Sequence, residues 1–123
     1  IYFKFKINMS KVKVVTIGLG YIGLPTSALI AKNGIQVHGV DVNQHVVDTI
    51  NQGKIHIIEP SLDIAVEEAV RKGFLKADLK PVEAETYLIV VPTPFKGNHE
   101  PDISYVESAT RSIIPFLKDS KQP

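Results

Sequence analysis

The sequence has no cysteine, no tryptophan and one methionine, and aromatic residues make up only 7% of it. Without cysteine, a disulfide framework, a thiolate metal site and a cysteine nucleophile are all excluded within these 123 residues. The same absence fits a reducing compartment, and a cytoplasmic protein is expected. Neither sign of charge dominates. Lys and Arg number 14 against 13 Asp and Glu, a formal net charge of +1, so no basic field points to nucleic acid. No apolar run approaches the roughly 20 residues that cross a bilayer. The longest are strand-length and broken by Gly, Pro or charge, so no membrane association is expected. The four histidines, His38, His45, His56 and His99, have no partners at metal-ligand spacing, and no metal site is expected. Ser61, Ser104 and Ser108 have no base at nucleophilic spacing, which leaves hydrolase chemistry without support.

What is present is ordinary for one soluble domain, with 44% hydrophobic and 22% charged residues. Residues 1–8, IYFKFKIN, precede Met9 and carry no small-residue cleavage site, so they do not resemble a secretory signal. Met9 is read as the natural start and residues 1–8 as an upstream segment. The alternative is a short edge strand built on Ile1, Tyr2, Phe3 and Phe5. Residues 9–123 then form one domain.

Along that domain, β-type and helix-type patterns alternate. Lys13–Ile17 is a β-branched run ending at Gly18. Pro25 suits the first turn of a helix that carries Leu29 and Ile30 on its apolar side over Thr26–Asn33 and is expected to stop at Gly34. Gln36–Val40 is a second strand. Asn43 should cap a helix with Val46, Val47 and Ile50 inward, closed by Gly53. Ser61 should cap the next, with Leu62, Ala65, Val66, Ala69 and Val70 at helical spacing. Phe74–Ala77 and Tyr87–Val91 are further strands. Asp102 should cap a last helix carrying Val106, Ala109, Ile113 and Leu117 inward, which Pro115 should kink or end. Strands alternating with helices predict an α/β fold: a Rossmann-type, doubly wound, mainly parallel sheet. The pattern stops after a helix, where another strand would normally follow, so the sheet is expected to be truncated on its C-terminal side. An incomplete sheet exposes an edge, and self-association into a homo-oligomer is expected.

Gly18-Leu19-Gly20-Tyr21-Ile22-Gly23 matches G-x-G-x-x-G. The pattern recurs by chance, but here it follows a strand and opens a helix, as its mechanism requires. Gly18 permits the tight turn, Gly20 lets the backbone approach a pyrophosphate, and Gly23 lets the helix pack close to the strand. The free N–H groups and dipole of that helix favour phosphate. Asp41 closes the second strand 18 residues after Gly23, where a carboxylate accepts hydrogen bonds from the adenosine ribose. It also repels a 2′-phosphate, which favours NAD over NADP. The bland alternative is a Gly-rich turn with an Asp that caps the next helix. Thr93, in Val91-Pro92-Thr93-Pro94 at the end of the last strand, stands where a hydroxyl could meet the cofactor; equally, the two prolines could simply stiffen a turn.

Taken together, these residues resemble the UDP-glucose/GDP-mannose dehydrogenase family. The matching segments are Ile17–Thr26, Gly39–Asn51, Gly53–Leu62, Gly73–Ala77 and Val91–Ala109. The resemblance implies oxidation of the C6 alcohol of a nucleotide-sugar to a carboxylate, with two NAD reduced. It implies cofactor contact at Tyr21, Ile22, Asp41 and Thr93. The family's catalytic cysteine, lysine and asparagine match no residue here, so no catalytic residue is assigned. One detail departs: the family often has Gly after Glu-Pro, whereas Ser61 follows Glu59-Pro60. Two other readings stand beside this one. The first is a different NAD-dependent dehydrogenase, acting on 2-hydroxy acids or sugar phosphates. The second is a stand-alone NAD-sensing module.

Overall fold

The computed structural model describes residues 12–117. Four strands, β1 (Val14–Ile17), β2 (Val37–Val40), β3 (Leu75–Asp78) and β4 (Thr86–Ile89), form one sheet in the order β3-β2-β1-β4. All three pairings are parallel, with Val14 opposite both Val37 on β2 and Thr86 on β4. Four α-helices accompany them: α1 (Gly23–Lys32), α2 (Gln44–Asn51), α3 (Leu62–Arg71) and α4 (Ser104–Leu117).

The two central strands, β1 and β2, are covered on both faces of the sheet, as inner parallel strands are, whereas outer β3 alternates buried Leu75 and Ala77 with exposed Lys76 and Asp78. On the first face, Leu24, Ala28 and Ala31 of α1, Val46, Val47 and Ile50 of α2 and Leu62, Val66 and Ala69 of α3 close over Val37, Leu75 and Ala77. On the second, Ala109 and Ile113 of α4 pack with Val15, Ile17 and Val40, and Phe116 stacks on Tyr87 with ring centroids 6.4 Å apart. The predicted doubly wound, parallel α/β fold is therefore present.

The link from β3 to β4, residues 79–85, is not a helix. It lies across the second face, where Val82 and Ala84 pack against the Val15–Ile17–Val40 cluster. Buried His38 holds it through Nε2 and the Lys80 carbonyl, 3.0 Å apart. The Tyr87 hydroxyl donates to the Val82 carbonyl at 2.8 Å and accepts from the Ala84 N–H at 3.0 Å. Burial raises the pKa of this phenol above its usual value. His38 is thus structural, as a strand-interior histidine should be.

Several expectations need correction. Helix α1 begins at Gly23, with Pro25 in its first turn as expected, and the Gly-rich turn runs straight into it: the Leu24 N–H already donates to the Gly20 carbonyl at 3.1 Å; the helix's apolar side is the part that differs. Its buried side is Leu24, Ser27, Ala28 and Ala31, and Leu29 is 62% exposed. The buried residues recur at helical spacing, and Leu29 falls on the other side of the helix from that stripe. Ser61 precedes α3 but does not cap it with its side chain, because it adopts φ 64°, in the left-handed region. That conformation favours glycine, which accounts for the family's usual residue at this place. Pro115 does not end α4, which continues to Leu117. Pro115 and Arg111 are both exposed, so the carbonyl left without its helical partner lies on the solvent side. Leu117 is 42% exposed and falls outside the inner stripe. By contrast, Asn43 caps α2 as expected, accepting from the His45 N–H at 2.9 Å. The expectation for residues 1–8 lies outside the described residues.

One core position works against the fold. Thr16 is fully buried on β1 and its hydroxyl has no hydrogen-bond partner among the described residues. An unsatisfied buried hydroxyl costs about 1–3 kcal/mol. Thr16→Val keeps the shape and removes the hydroxyl, so it should raise stability by about 1 kcal/mol and Tm by roughly 4–8 °C. A thermal melt showing no gain would mean that the hydroxyl is satisfied.

Candidate functional site: the carboxyl edge of the sheet

From β1 the chain winds outward through β2 to β3, then returns to place β4 on the opposite side of β1. The direction of winding reverses between β1 and β4. Parallel sheets of this kind bind ligands beyond the carboxyl ends of the strands at such a reversal.

The Gly18–Gly23 turn leaves β1 at this edge. The Gly18 N–H donates to the Val40 carbonyl at 2.7 Å. Gly18 has φ 105°, and a Cβ there would lie 2.5 Å from the Val90 carbonyl oxygen, so glycine serves both the turn and the close approach of β4. A Cβ on Gly23 would collide with the Gly18 carbonyl and lie 3.0 Å from Cγ2 of Val90. Gly20 differs: a Cβ there would meet nothing within 4 Å. Between these glycines, Leu19 is wholly buried, while Tyr21 and Ile22 are 68% and 70% exposed. Among the described residues no side chain caps the N-terminus of α1 and no acid stands in its first turn, so the helix dipole is not countered there, although the Leu24 N–H is taken by the Gly20 carbonyl.

Asp41 follows β2 and reaches back to the turn. Its Oδ2 accepts the Leu19 N–H at 3.2 Å and its Oδ1 accepts the Asn43 N–H at 3.0 Å. A carboxylate offers about four lone-pair sites, so two backbone bonds leave acceptor capacity for a ligand. On the other side of the turn, the β4 chain continues through Val90 and Val91, beside Gly18, to exposed Thr93. Asp41 and Thr93 thus flank the turn from opposite sides, with the uncapped helix between them.

Sequence reasoning missed two features near this edge. The loop beyond Thr93 folds back as a small hairpin. The Lys96 N–H donates to the Glu100 carbonyl at 2.7 Å, the Asp102 N–H to the Pro94 carbonyl at 2.6 Å, and Phe95 bridges to Pro101. At its tip Asn98 and His99 have φ 74° and 59°. Asn and His are both among the residues that tolerate this region, but neither marks it in sequence by itself. At its base Asp102 accepts the Ser104 N–H at 3.0 Å, and bonding to Ser104 holds its carboxyl below the usual range. The second feature is Gly39 on β2, whose missing side chain makes room for Leu19. Among the described residues no group of acidic or histidine side chains could hold a metal ion. No described helix is long and apolar enough to cross a membrane.

A doubly wound parallel sheet with a glycine turn, an open helix N-terminus and an acid after β2 defines a dinucleotide-binding domain. Residues 12–122 match the UDP-glucose/GDP-mannose dehydrogenase family, NAD binding domain. The chain belongs to that family and carries its NAD-binding domain. It is 63% identical over 110 residues to the UDP-N-acetyl-D-mannosamine dehydrogenase of Escherichia coli K12, a match covering 89% of this chain and 26% of that protein. It is 57% identical over 102 residues to the NDP-N-acetyl-D-galactosaminuronic acid dehydrogenase of Ralstonia nicotianae, covering 83% of this chain and 24% of that protein. The structure of the UDP-N-acetyl-mannosamine dehydrogenase from Staphylococcus aureus superimposes with a TM-score of 0.83 at 45% identity, covering 85% of this chain and 26% of that one. The chain therefore spans about a quarter of the length of the relatives it matches.

Proposed function

We propose that this chain is the NAD-binding part of a nucleotide-sugar dehydrogenase that oxidises UDP-N-acetyl-D-mannosamine at C6 to the uronate, reducing two NAD. The observation that carries the cofactor reading is the Asp41 carboxylate, held against the Gly-rich turn by the Leu19 N–H beside the uncapped end of α1. The residues fit the group. A Cβ on Gly20 would meet nothing within 4 Å, so the space over the turn is open, as a pyrophosphate at the helix N-terminus requires. Gly18 and Gly23 shape that turn. Asp41 accepts from the adenosine ribose hydroxyls and excludes a 2′-phosphate. Tyr21, Ile22 and Thr93 border the cofactor.

When bound, NAD accepts the hydride; this chain binds and orients it, and the catalytic acid/base and nucleophilic groups are supplied from outside these residues. The mannosamine reading is supported by the resemblance to the Escherichia coli and Staphylococcus aureus enzymes. A second reading, another N-acetylated nucleotide-sugar, is supported by the relative from Ralstonia nicotianae. On this reading the whole enzyme acts on a nucleotide-sugar, and we propose that it does so in the cytoplasm as a homo-oligomer.

Calorimetric titration with NAD and NADP tests the cofactor site. Saturable NAD binding is expected, with NADP weaker. Asp41→Ala should weaken NAD by about 1.5–3 kcal/mol, since hydrogen bonds to charged groups are of that order. Equal affinity in a folded Asp41→Ala chain would remove Asp41 from the site, and no binding by the folded parent would remove the site itself.

A further inference from the structure

We infer that Leu19 and Gly39 form a complementary pair that positions the cofactor turn and aims Asp41, so that Gly39 governs NAD affinity and selectivity without touching the cofactor. This rests on Asp41 being the ribose acceptor. Leu19, the residue between the first two motif glycines, is 0% exposed and among the largest fully buried side chains. It therefore anchors an otherwise exposed turn into the core. The space it fills is the one Gly39 leaves open. A Cβ on Gly39 would lie 2.8 Å from Leu19 Cδ2, 3.0 Å from Cδ1 and 3.4 Å from Cγ. Both methyls of Leu19 would have to give way, Cδ2 furthest, and close packing leaves a fully enclosed side chain little room to do so.

The consequence runs directly to the site. The backbone N–H of the same Leu19 donates to Asp41 Oδ2 at 3.2 Å, and Asp41 follows Gly39 by two residues on the same chain. That bond already sits at the long end of the usual range, so displacing Leu19 breaks it readily. The carboxylate then loses one of the two backbone donors that fix its orientation. An acceptor free to rotate binds a ribose diol less well and discriminates less against a 2′-phosphate.

The test uses the full 123-residue chain as parent, Gly39→Ala, Leu19→Ala and the double variant, each checked for folding by circular dichroism and titrated with NAD and NADP. Gly39→Ala should bind NAD about tenfold more weakly, the scale of one charge-assisted hydrogen bond. NADP affinity should change little, so the NAD/NADP ratio falls. In the Leu19→Ala background the sign reverses, because the methyl added by Gly39→Ala now fills vacated space: the double variant should melt higher and bind NAD more tightly than Leu19→Ala alone. A folded Gly39→Ala chain with the parent's NAD affinity and selectivity overturns the inference. If Gly39→Ala does not fold, the double variant decides: restored folding and NAD binding support the pair, and additive damage overturns it. Failure of the parent itself to bind NAD is a separate result that removes the cofactor reading, and the four melting temperatures still test the packing pair.

Discussion

Gly23→Ala is expected to collapse both folding and cofactor binding, whereas Gly20→Ala, three residues earlier in the same motif, should leave the fold intact and affect only the cofactor. The difference lies in what each new methyl meets. At Gly23 it meets backbone: the Gly18 carbonyl, with the Val90 side chain behind it. Backbone atoms at the end of β1 cannot step aside without moving the sheet, so α1 must lift off the turn. Overpacking of this kind costs about 3 kcal/mol or more, a fall in Tm of roughly 12–24 °C for a domain of this size. At Gly20 the methyl meets nothing within 4 Å, and no positive φ demands glycine there. The parent's Tm should persist while NAD binding weakens, because the methyl occupies the space proposed for the pyrophosphate. Melts and NAD titrations of the two variants separate the roles. A Gly23→Ala chain with the parent's Tm would show that the contact relaxes cheaply, and a Gly20→Ala chain with unchanged NAD affinity would place the phosphates elsewhere.

The second large effect comes from a residue far from the motif. Strand β3 is the outer strand on its side of the sheet. The Phe74 and Asp78 carbonyls accept the N–H groups of Val37 on β2 and of Asp41 just after it, so Ala77 turns its peptide groups outward. The Asn51 amide, at the end of α2, takes both: its Nδ2 donates to the Ala77 carbonyl at 2.9 Å and its Oδ1 accepts the Ala77 N–H at 2.8 Å. One side chain thereby ties helix to strand and covers an edge that would otherwise template pairing with another chain. Asn51→Ala removes both bonds and should cost about 2 kcal/mol, lowering Tm by roughly 8–16 °C. Asn51→Asp keeps the acceptor but sets a carboxylate against the Ala77 carbonyl, so it should be destabilised as well. If both variants melt with the parent, water replaces the amide without loss and the clamp contributes nothing.

Much of this could be read in the sequence, for identifiable reasons. Strand–helix alternation reports burial on both faces, so the doubly wound fold and the strands around Val15, Val37, Leu75 and Leu88 were legible. The Gly-rich turn and Asp41 carry chemistry that few other patterns share, and the structure brings them to one edge. What escaped depends on contacts distant in sequence. Leu29 faces solvent because the inward stripe is Leu24, Ser27, Ala28 and Ala31, three of whose members are too small to mark a buried face in the sequence. Ser61 has the composition of a helix cap but sits at φ 64°, because the path of the Glu59-Pro60 turn, not propensity, sets its backbone. Asn51 looks like any polar residue at a helix end, and its partner Ala77 lies 26 residues away. Gly39 reads as a weak point in a strand until Leu19 is seen to fill its place.

The connection across the second face has a consequence for which sequences this fold can accept. Surface loops ordinarily take insertions and deletions freely, because their backbone answers only to water. Residues 79–85 do not enjoy that freedom. They are fixed to the sheet by His38 at Lys80 and by Tyr87 at Val82 and Ala84, and they roof the lower core in place of a helix. Their length is therefore a dimension of the domain, set by the width of sheet from β3 to β4. Growth and variation in such a chain are steered instead to the exposed hairpin tip at residues 97–99, where a longer excursion disturbs no core.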